Sequence, residues 1–145
     1  KQKRHTVKNN IINDSHHHSI FLSKTHEGRI HDKKIADYEG YILPPGSILL
    51  QDAGFQGFTM DGVAIVQPKK KPRNGSLTID EKEENRRISS IRVAVEHVIG
   101  SVKRFRIVKN TYRLYRHGCL DFLMRICCGL HNFIAQSRMW KEIKF

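Results

Sequence analysis

The chain has 145 residues, 39% of them hydrophobic, and its 26 Lys and Arg outweigh 14 Asp and Glu to give a formal charge of +12. That length holds one ordinary domain and excludes two well-cored ones, the composition lies above the disordered range, and the absence of a run of about 18 apolar residues excludes a membrane span. A globular chain this basic meets a polyanion, nucleic acid being the commonest, and no basic amphipathic anchor argues for a membrane surface instead.

The opening KQKRHTVKNN lacks the apolar core of a signal peptide, which points to the cytoplasm, and the missing initiator Met suits an internal piece of something longer. Residues Arg4–Asn13 alternate loosely and carry β-branched residues, which predicts a strand. Asp14-Ser15 turns the chain into a second, antiparallel strand over Ser19–Leu22. Between them, His16, His17 and His18 cannot all face one metal ion from a strand, because alternate side chains point oppositely, so they read as a polar turn. Thr25–Asp32 reads as a Gly-containing loop, with Asp32 placed to cap a short helix over Lys33–Tyr38. After Pro44-Pro45-Gly46, the segment SILLQDAGFQG at Ser47–Gly57 is an apolar run ending in an acid, glycines and an aromatic. It predicts a buried strand that delivers Asp52 to a tight turn. A further strand, Val63–Gln67, stops at Pro68, and the basic loop PKKKPRNGS follows.

Leu77-Thr78 with Asp80 and Glu81 opens a long helix whose first turns carry acids suited to its positive end. Ile88, Ile91, Val95, Val98, Ile99, Val102 and Phe105 recur at helical spacing and define its core face. A second helix over Leu120–Ala135 is apolar on more than one side, which predicts burial. Cys119, Cys127 and Cys128 fit no metal or redox spacing and read as small apolar residues in a reduced interior. Strands first and strand–helix units afterwards indicate an α/β domain with a mixed sheet.

Two carboxylates stand out. Asp52 sits at a strand end and Glu96 on the long helix, an arrangement able to hold a hard divalent cation such as Mg²⁺ through oxygen ligands while leaving positions open for phosphate. Ser89, Arg92, Glu96, Gly100 and Lys103 share one stripe of that helix. A helical Gly costs roughly 1 kcal/mol against Ala, so Gly100 either clears space for a phosphate backbone or lets another helix pack closely. Glu96 is correspondingly either a ligand or a partner of Arg92 or Lys103. His31 and His97 adjoin Asp32 and Glu96, as donors to a phosphate or carboxylate or as plain surface histidines. Lys69, Lys70, Lys71 and Arg73 make a clamp for DNA phosphates, a short import-signal match or a solvated charge run. Arg104, Arg106, Lys109, Arg113 and Arg116 extend the basic character, with Tyr112 and Tyr115 interleaved in a way that suits DNA backbone or unstacked ends.

QDAGFQG around Asp52, RVAVEHVIGSVKRFRI around Glu96, GRIHDKK at Gly28–Lys34 and the opening KRHTVKN together resemble blocks of bacterial insertion-sequence transposases of the DDE superfamily, relatives of the Harbinger elements. The similarity runs in order from about Lys3 to Phe133. It implies a ribonuclease-H-like core that cuts and joins DNA with Mg²⁺ or Mn²⁺ ions held by three acids, of which Asp52 matches the second and Glu96 the third. It also implies DNA partners (transposon ends and target), phosphate contacts from Arg92, Lys103, Arg104 and the Lys69–Arg73 loop, a homo-oligomer, and a bacterial cytoplasm with its nucleoid as the place of action.

The first acid belongs on a strand upstream of KRHTVKN, whereas this chain starts at Lys1. Asp14 lies in a turn and is no substitute; Asp32, next to His31, matches a recurrent His-Asp position and is at most accessory to the metal. The expectation is therefore a truncated DDE catalytic domain over residues 1–137 with a tail over 138–145. It lacks a central strand and its acid, is inactive alone, and needs a companion segment or chain. The rival readings are a DNA-binding remnant without chemistry and an unrelated basic α/β module.

Overall fold

A computed structural model describes residues 6–109 and 118–138. The N-terminal strand is interrupted: β1 (Val7–Lys8) pairs antiparallel with β4 (His26–Glu27), and β2 (Ile11–Asn13) with β3 (Ser19–Leu22). Asn9 and Asn10 make the break. Asn10 is buried, donates through Nδ2 to the Tyr41 hydroxyl at 2.7 Å and to the Asp32 carbonyl at 3.1 Å, and its backbone N–H goes to Ser23 Oγ at 2.8 Å. Side chains thus take over part of the ladder at these two residues, while one backbone bond, from Ser23 N to the Asn10 carbonyl at 2.9 Å, persists. From Lys8 to Ile11 the chain advances three residues, and from Leu22 to His26 four, so the ladder resumes through a bulge. The segment expected to be a loop over Thr25–Asp32 therefore contains a strand. Asp14 closes the hairpin turn, its Oδ1 accepting from the backbone of His16 at 3.0 Å and His18 at 2.8 Å.

Helix α1 (Asp32–Glu39) starts one residue earlier than expected, with His31 at the cap position and no side-chain capping bond. Asp32 does not cap it. Its carboxylate is drawn to Lys8 Nζ at 3.0 Å while still facing the positive end of the helix. Strands β5 (Ile48–Leu50) and β6 (Ala64–Val66) are parallel, with Leu49 opposite Ile65. A 3₁₀ turn over Ala53–Phe55 follows β5.

Helix α2 (Ile79–Lys103) begins at a capping box: Thr78 Oγ1 accepts from Glu81 N at 3.2 Å, and Glu81 accepts from Thr78 N at 3.0 Å. These bonds, and the nearby Lys69 ammonium, hold the Glu81 carboxyl below its usual range. The predicted core face is present: Ile88, Val98 and Val102 are buried, and Ile91, Val95, Ile99 and Phe105 half-buried. After α3 (Arg106–Lys109) comes α4 (Cys119–Ser137).

The hairpin is covered on both faces, as strand alternation requires. Ile12 and Phe21 pack on a cluster of Ala36, Tyr41 and Phe58, shared with Leu49, Phe55, Met60 and Ile65. Ile11 and Leu22 point the other way, onto Val102, Cys127, Cys128 and Met124. The cysteines are free, and burial pushes the Cys127 and Cys128 thiols up. Helix α4 corrects the expectation of burial all round. Cys127, Cys128, His131 and Ala135 are buried, whereas Phe122 is 64% and Phe133 72% exposed, because no described residue packs on that side. Among the described residues the strands form three two-stranded sheets, and no helix is long and apolar enough to cross a membrane.

Candidate functional site

Asp52 follows β5 directly. The preceding residue, Gln51, is buried, and its N–H extends the parallel ladder to the Val66 carbonyl at 2.9 Å. Gln67, just past β6, donates through Nε2 to Gln51 Oε1 at 2.6 Å and to the Phe55 carbonyl at 3.1 Å. This amide ties both ends of the turn to the sheet. Asp52 then caps the turn, with Oδ1 accepting from Ala53 N at 2.6 Å, which leaves Oδ2 facing outward.

Oδ2 meets Arg92. Arg92 Nη2 lies 3.2 Å from Asp52 Oδ2 and 3.8 Å from Glu96 Oε1, so one guanidinium nitrogen faces both acids. Glu96 stands one helical turn beyond Arg92, on the same face of α2. The two carboxylates come from a strand end and a helix separated by 44 positions and converge on one positive charge. All three groups are substantially exposed, so solvent screens the attraction. As donors, two outward carboxylates already sharing a cationic partner fit a hard divalent ion. Among the described residues no cluster of three or more His, Cys, Asp or Glu suited to a metal occurs.

Asp32 lies against the same turn without joining that pair. A Cβ built on Gly54 would sit 2.8 Å from Asp32 Oδ2, so any side chain here would make the carboxylate shift. His31 and His97 are exposed, with no side-chain hydrogen bond among the described residues. A Cβ on Gly100 would meet nothing within 4 Å. The close-packed helix invoked as one reason for Gly100 is therefore absent among the described residues, and the space one turn beyond Glu96 is open.

The basic residues divide. Lys103 and Arg104 are exposed at the end of α2, and Lys70, Lys71 and Arg73 are exposed in the loop before it. Lys69 is different: its ammonium pairs with Glu81 at 3.2 Å. Asn85 anchors the start of that loop. Tyr112, Arg113, Tyr115 and Arg116 lie outside the described residues. Gln67, Asn85 and Lys8 were missed as supports of the site; the only sequence signal was a polar amide directly after an apolar strand, at Gln67.

A family model described as "DDE superfamily endonuclease" matches residues 1–132. The chain is 30% identical over 133 residues to a protein from Microchaete diplosiphon named "Probable transposase for insertion sequence element IS702"; the match covers 92% of this chain and 48% of that protein. The chain thus spans about half the length of that relative. No solved structure matches it. The unrelated basic module is thereby set aside: with nearly its whole length matched, the chain belongs to the DDE superfamily endonucleases.

Proposed function

We propose that this chain is the larger part of a transposase catalytic domain that cleaves and joins DNA, with Asp52 and Glu96 holding Mg²⁺ or Mn²⁺. The supporting observation is the convergence of Asp52 Oδ2 and Glu96 Oε1 on the Arg92 guanidinium. When bound, a divalent cation polarises the phosphodiester and stabilises charge on the attacking and leaving oxygens. The protein's own residues position the substrate. Arg92 and Lys103 hold phosphates beside the acids, the opening at Gly100 admits the backbone, and Arg104, Lys70, Lys71 and Arg73 follow the strand outward. In this reading Lys69 contributes only once its pairing with Glu81 gives way. Residues 1–137 form the domain and 138–145 a tail, acting on transposon ends and target DNA in a bacterial cytoplasm.

We infer further that the sheet is ribonuclease-H-like, with a central strand and first acid from outside the described residues, supplied by a further segment or a companion chain. Two features support this. The β2–β3 and β5–β6 pairs share one apolar cluster without a hydrogen bond between strands of the two pairs. The site as described offers two acids. Two carboxylates bind one cation and do not fix a pair of them, so the chain alone binds DNA without cutting it.

The test combines calorimetry with plasmid nicking. Mn²⁺ should bind the chain and weaken by about tenfold or more in Asp52→Asn and in Glu96→Gln, as loss of a charged ligand requires. DNA should bind with no nicking. Mn²⁺ binding indifferent to both substitutions would sink the metal site, and nicking abolished by Asp32→Asn would make Asp32 the missing ligand.

A further inference from the structure

Arg92 stands where a metal's charge belongs, and that has a regulatory reading which rests on the assignment of Asp52 and Glu96 as a cation site. We infer that Arg92 is a displaceable placeholder: its guanidinium occupies the two carboxylates in the free protein and moves to a DNA phosphate when a divalent cation takes them. Cation and DNA then bind with positive coupling.

Arg92 Nη2 approaches Asp52 at 3.2 Å and Glu96 at 3.8 Å, and the Arg92 side chain is 35% exposed, with Asp52 at 51% and Glu96 at 65%. An exposed pair of this kind is weak and reversible. It nevertheless relieves repulsion between two carboxylates that face the same space. A guanidinium cannot shed its charge at any working pH. A divalent cation on the same oxygens therefore expels it rather than sharing them. Once expelled, Arg92 keeps five N–H donors on a flexible stem beside the metal, with open space one turn further along at Gly100. A phosphate oxygen pair is the natural partner for that fork. DNA stabilises the displaced arrangement, and so does the cation. Linkage makes the effect mutual, so each ligand raises the affinity of the other by the same factor.

The contact with Asp52 separates this from an ordinary helix-surface pair. Arg92 and Glu96 are four apart on one helix and would meet in any case. Arg92 and Asp52 are 40 positions apart and meet only because β5 delivers Asp52 to this face of α2. The guanidinium therefore spans both halves of the site, which a solvent-directed arginine does not.

The experiment measures Mn²⁺ binding to the full chain by calorimetry, and binding of a labelled short duplex by anisotropy with and without Mn²⁺. Arg92→Ala is compared with Arg86→Ala, which removes one exposed charge from the same helix without touching either acid, and circular dichroism checks that both fold. Arg92→Ala should bind Mn²⁺ about 3- to 5-fold tighter than the natural chain, the release expected for an exposed ion pair, whereas Arg86→Ala should change by less than about twofold at physiological salt. Mn²⁺ should raise the DNA affinity of the natural chain by up to about 3- to 5-fold relative to its effect on Arg92→Ala, since release of the same ion pair sets both factors. General screening by Mn²⁺ cancels in that ratio. Mn²⁺ binding that needs Asp52 and Glu96 but is unchanged in Arg92→Ala would overturn this inference alone, as would an equal effect of Mn²⁺ on DNA binding in both proteins. Mn²⁺ binding that ignores both acids would remove the cation site itself.

Discussion

Asn85 grips the backbone of Lys69 from both sides: its Oδ1 accepts from the Lys69 amide at 2.8 Å and its Nδ2 donates to the Lys69 carbonyl at 2.9 Å. One side-chain amide thus fastens the root of the basic loop to α2, sixteen positions away in sequence. The loop's charges are held next to the helix that carries Arg92 and Glu96.

That anchoring predicts a way to separate charge from placement. Changing Lys70, Lys71 and Arg73 to Ala should weaken binding to every duplex sequence about equally and flatten the slope of log K against log salt by up to ~0.9 per lost phosphate contact. Asn85→Ala removes no charge, yet should weaken DNA binding by freeing the loop. Anisotropy titrations at several salt concentrations check both. Thermal stability should hardly move in the triple variant, since exposed loop charges contribute little to the core.

Gly54→Ala should destabilise the protein by up to about 1 kcal/mol, because its Cβ would push the Asp32 carboxylate oxygen aside in a half-buried turn. Combining it with Asp32→Ala removes the collision, so the double variant should lose less than the two single losses added. Urea unfolding of the four proteins measures this. Strict additivity would mean the two residues do not share a contact.

Gly100→Ala should do the opposite. Nothing lies within 4 Å of the added Cβ, so the helix gains up to about 1 kcal/mol from the better residue. A longer side chain such as Gln at this position should keep that stability and lose DNA affinity if the opening admits a phosphate backbone. Thermal melts and DNA titrations on the same samples provide the comparison.

Thr78→Ala should cost about 1 kcal/mol through loss of the cap. The Glu81 half of the box carries a pH signature. Its folded pKa is lowered, so the stability from its ionised form is present above the usual carboxylate range and is lost as pH falls through the lowered value. Glu81→Gln keeps a hydrogen-bonding side chain without the charge. The stability advantage of the natural chain over this variant should therefore be full near neutrality and vanish in acid, as circular dichroism melts against pH would show.

The legible parts of this molecule are those whose signal is local. Helix α2 could be read because Thr78, Asp80 and Glu81 mark its start and Ile88 to Val102 keep one period; the strand before Asp52 could be read because an apolar run stops at an acid and a glycine. Strand β4 was hidden because His26-Glu27 has no β-branched residue and no Phe, Tyr or Trp, and His26 pairs with Lys8, eighteen positions upstream. Asn10 hid the break in the first strand, since nothing local shows that its amide will find Tyr41. Asp32 was misplaced as a cap because the lysine that claims it lies on another element. The Arg92–Glu96 pairing follows from spacing, while the Arg92–Asp52 contact is tertiary and has no signature in either segment. The apolar character of α4 on more than one side was real; burial of all of it did not follow, because a sequence shows how much surface asks to be covered and not what covers it.

Beside the apolar contact of Leu22, the backbone of β3 and of Thr25 beyond it is bound by polar side chains of α4. Ser19 N donates to Asn132 Oδ1 at 2.8 Å, Asn132 Nδ2 donates to the Ser19 carbonyl at 3.0 Å, and Thr25 N donates to Asp121 Oδ1 at 2.6 Å. Asn132 presents a donor and an acceptor side by side, as the backbone of a neighbouring strand would. The β3 side of the hairpin is thereby sealed against edge-to-edge association at Ser19. Growth of the sheet is polarised as a result: an incoming chain finds its open backbone groups away from α4, and a loss of the Asn132 amide would give the hairpin a second sticky edge without disturbing a single apolar contact.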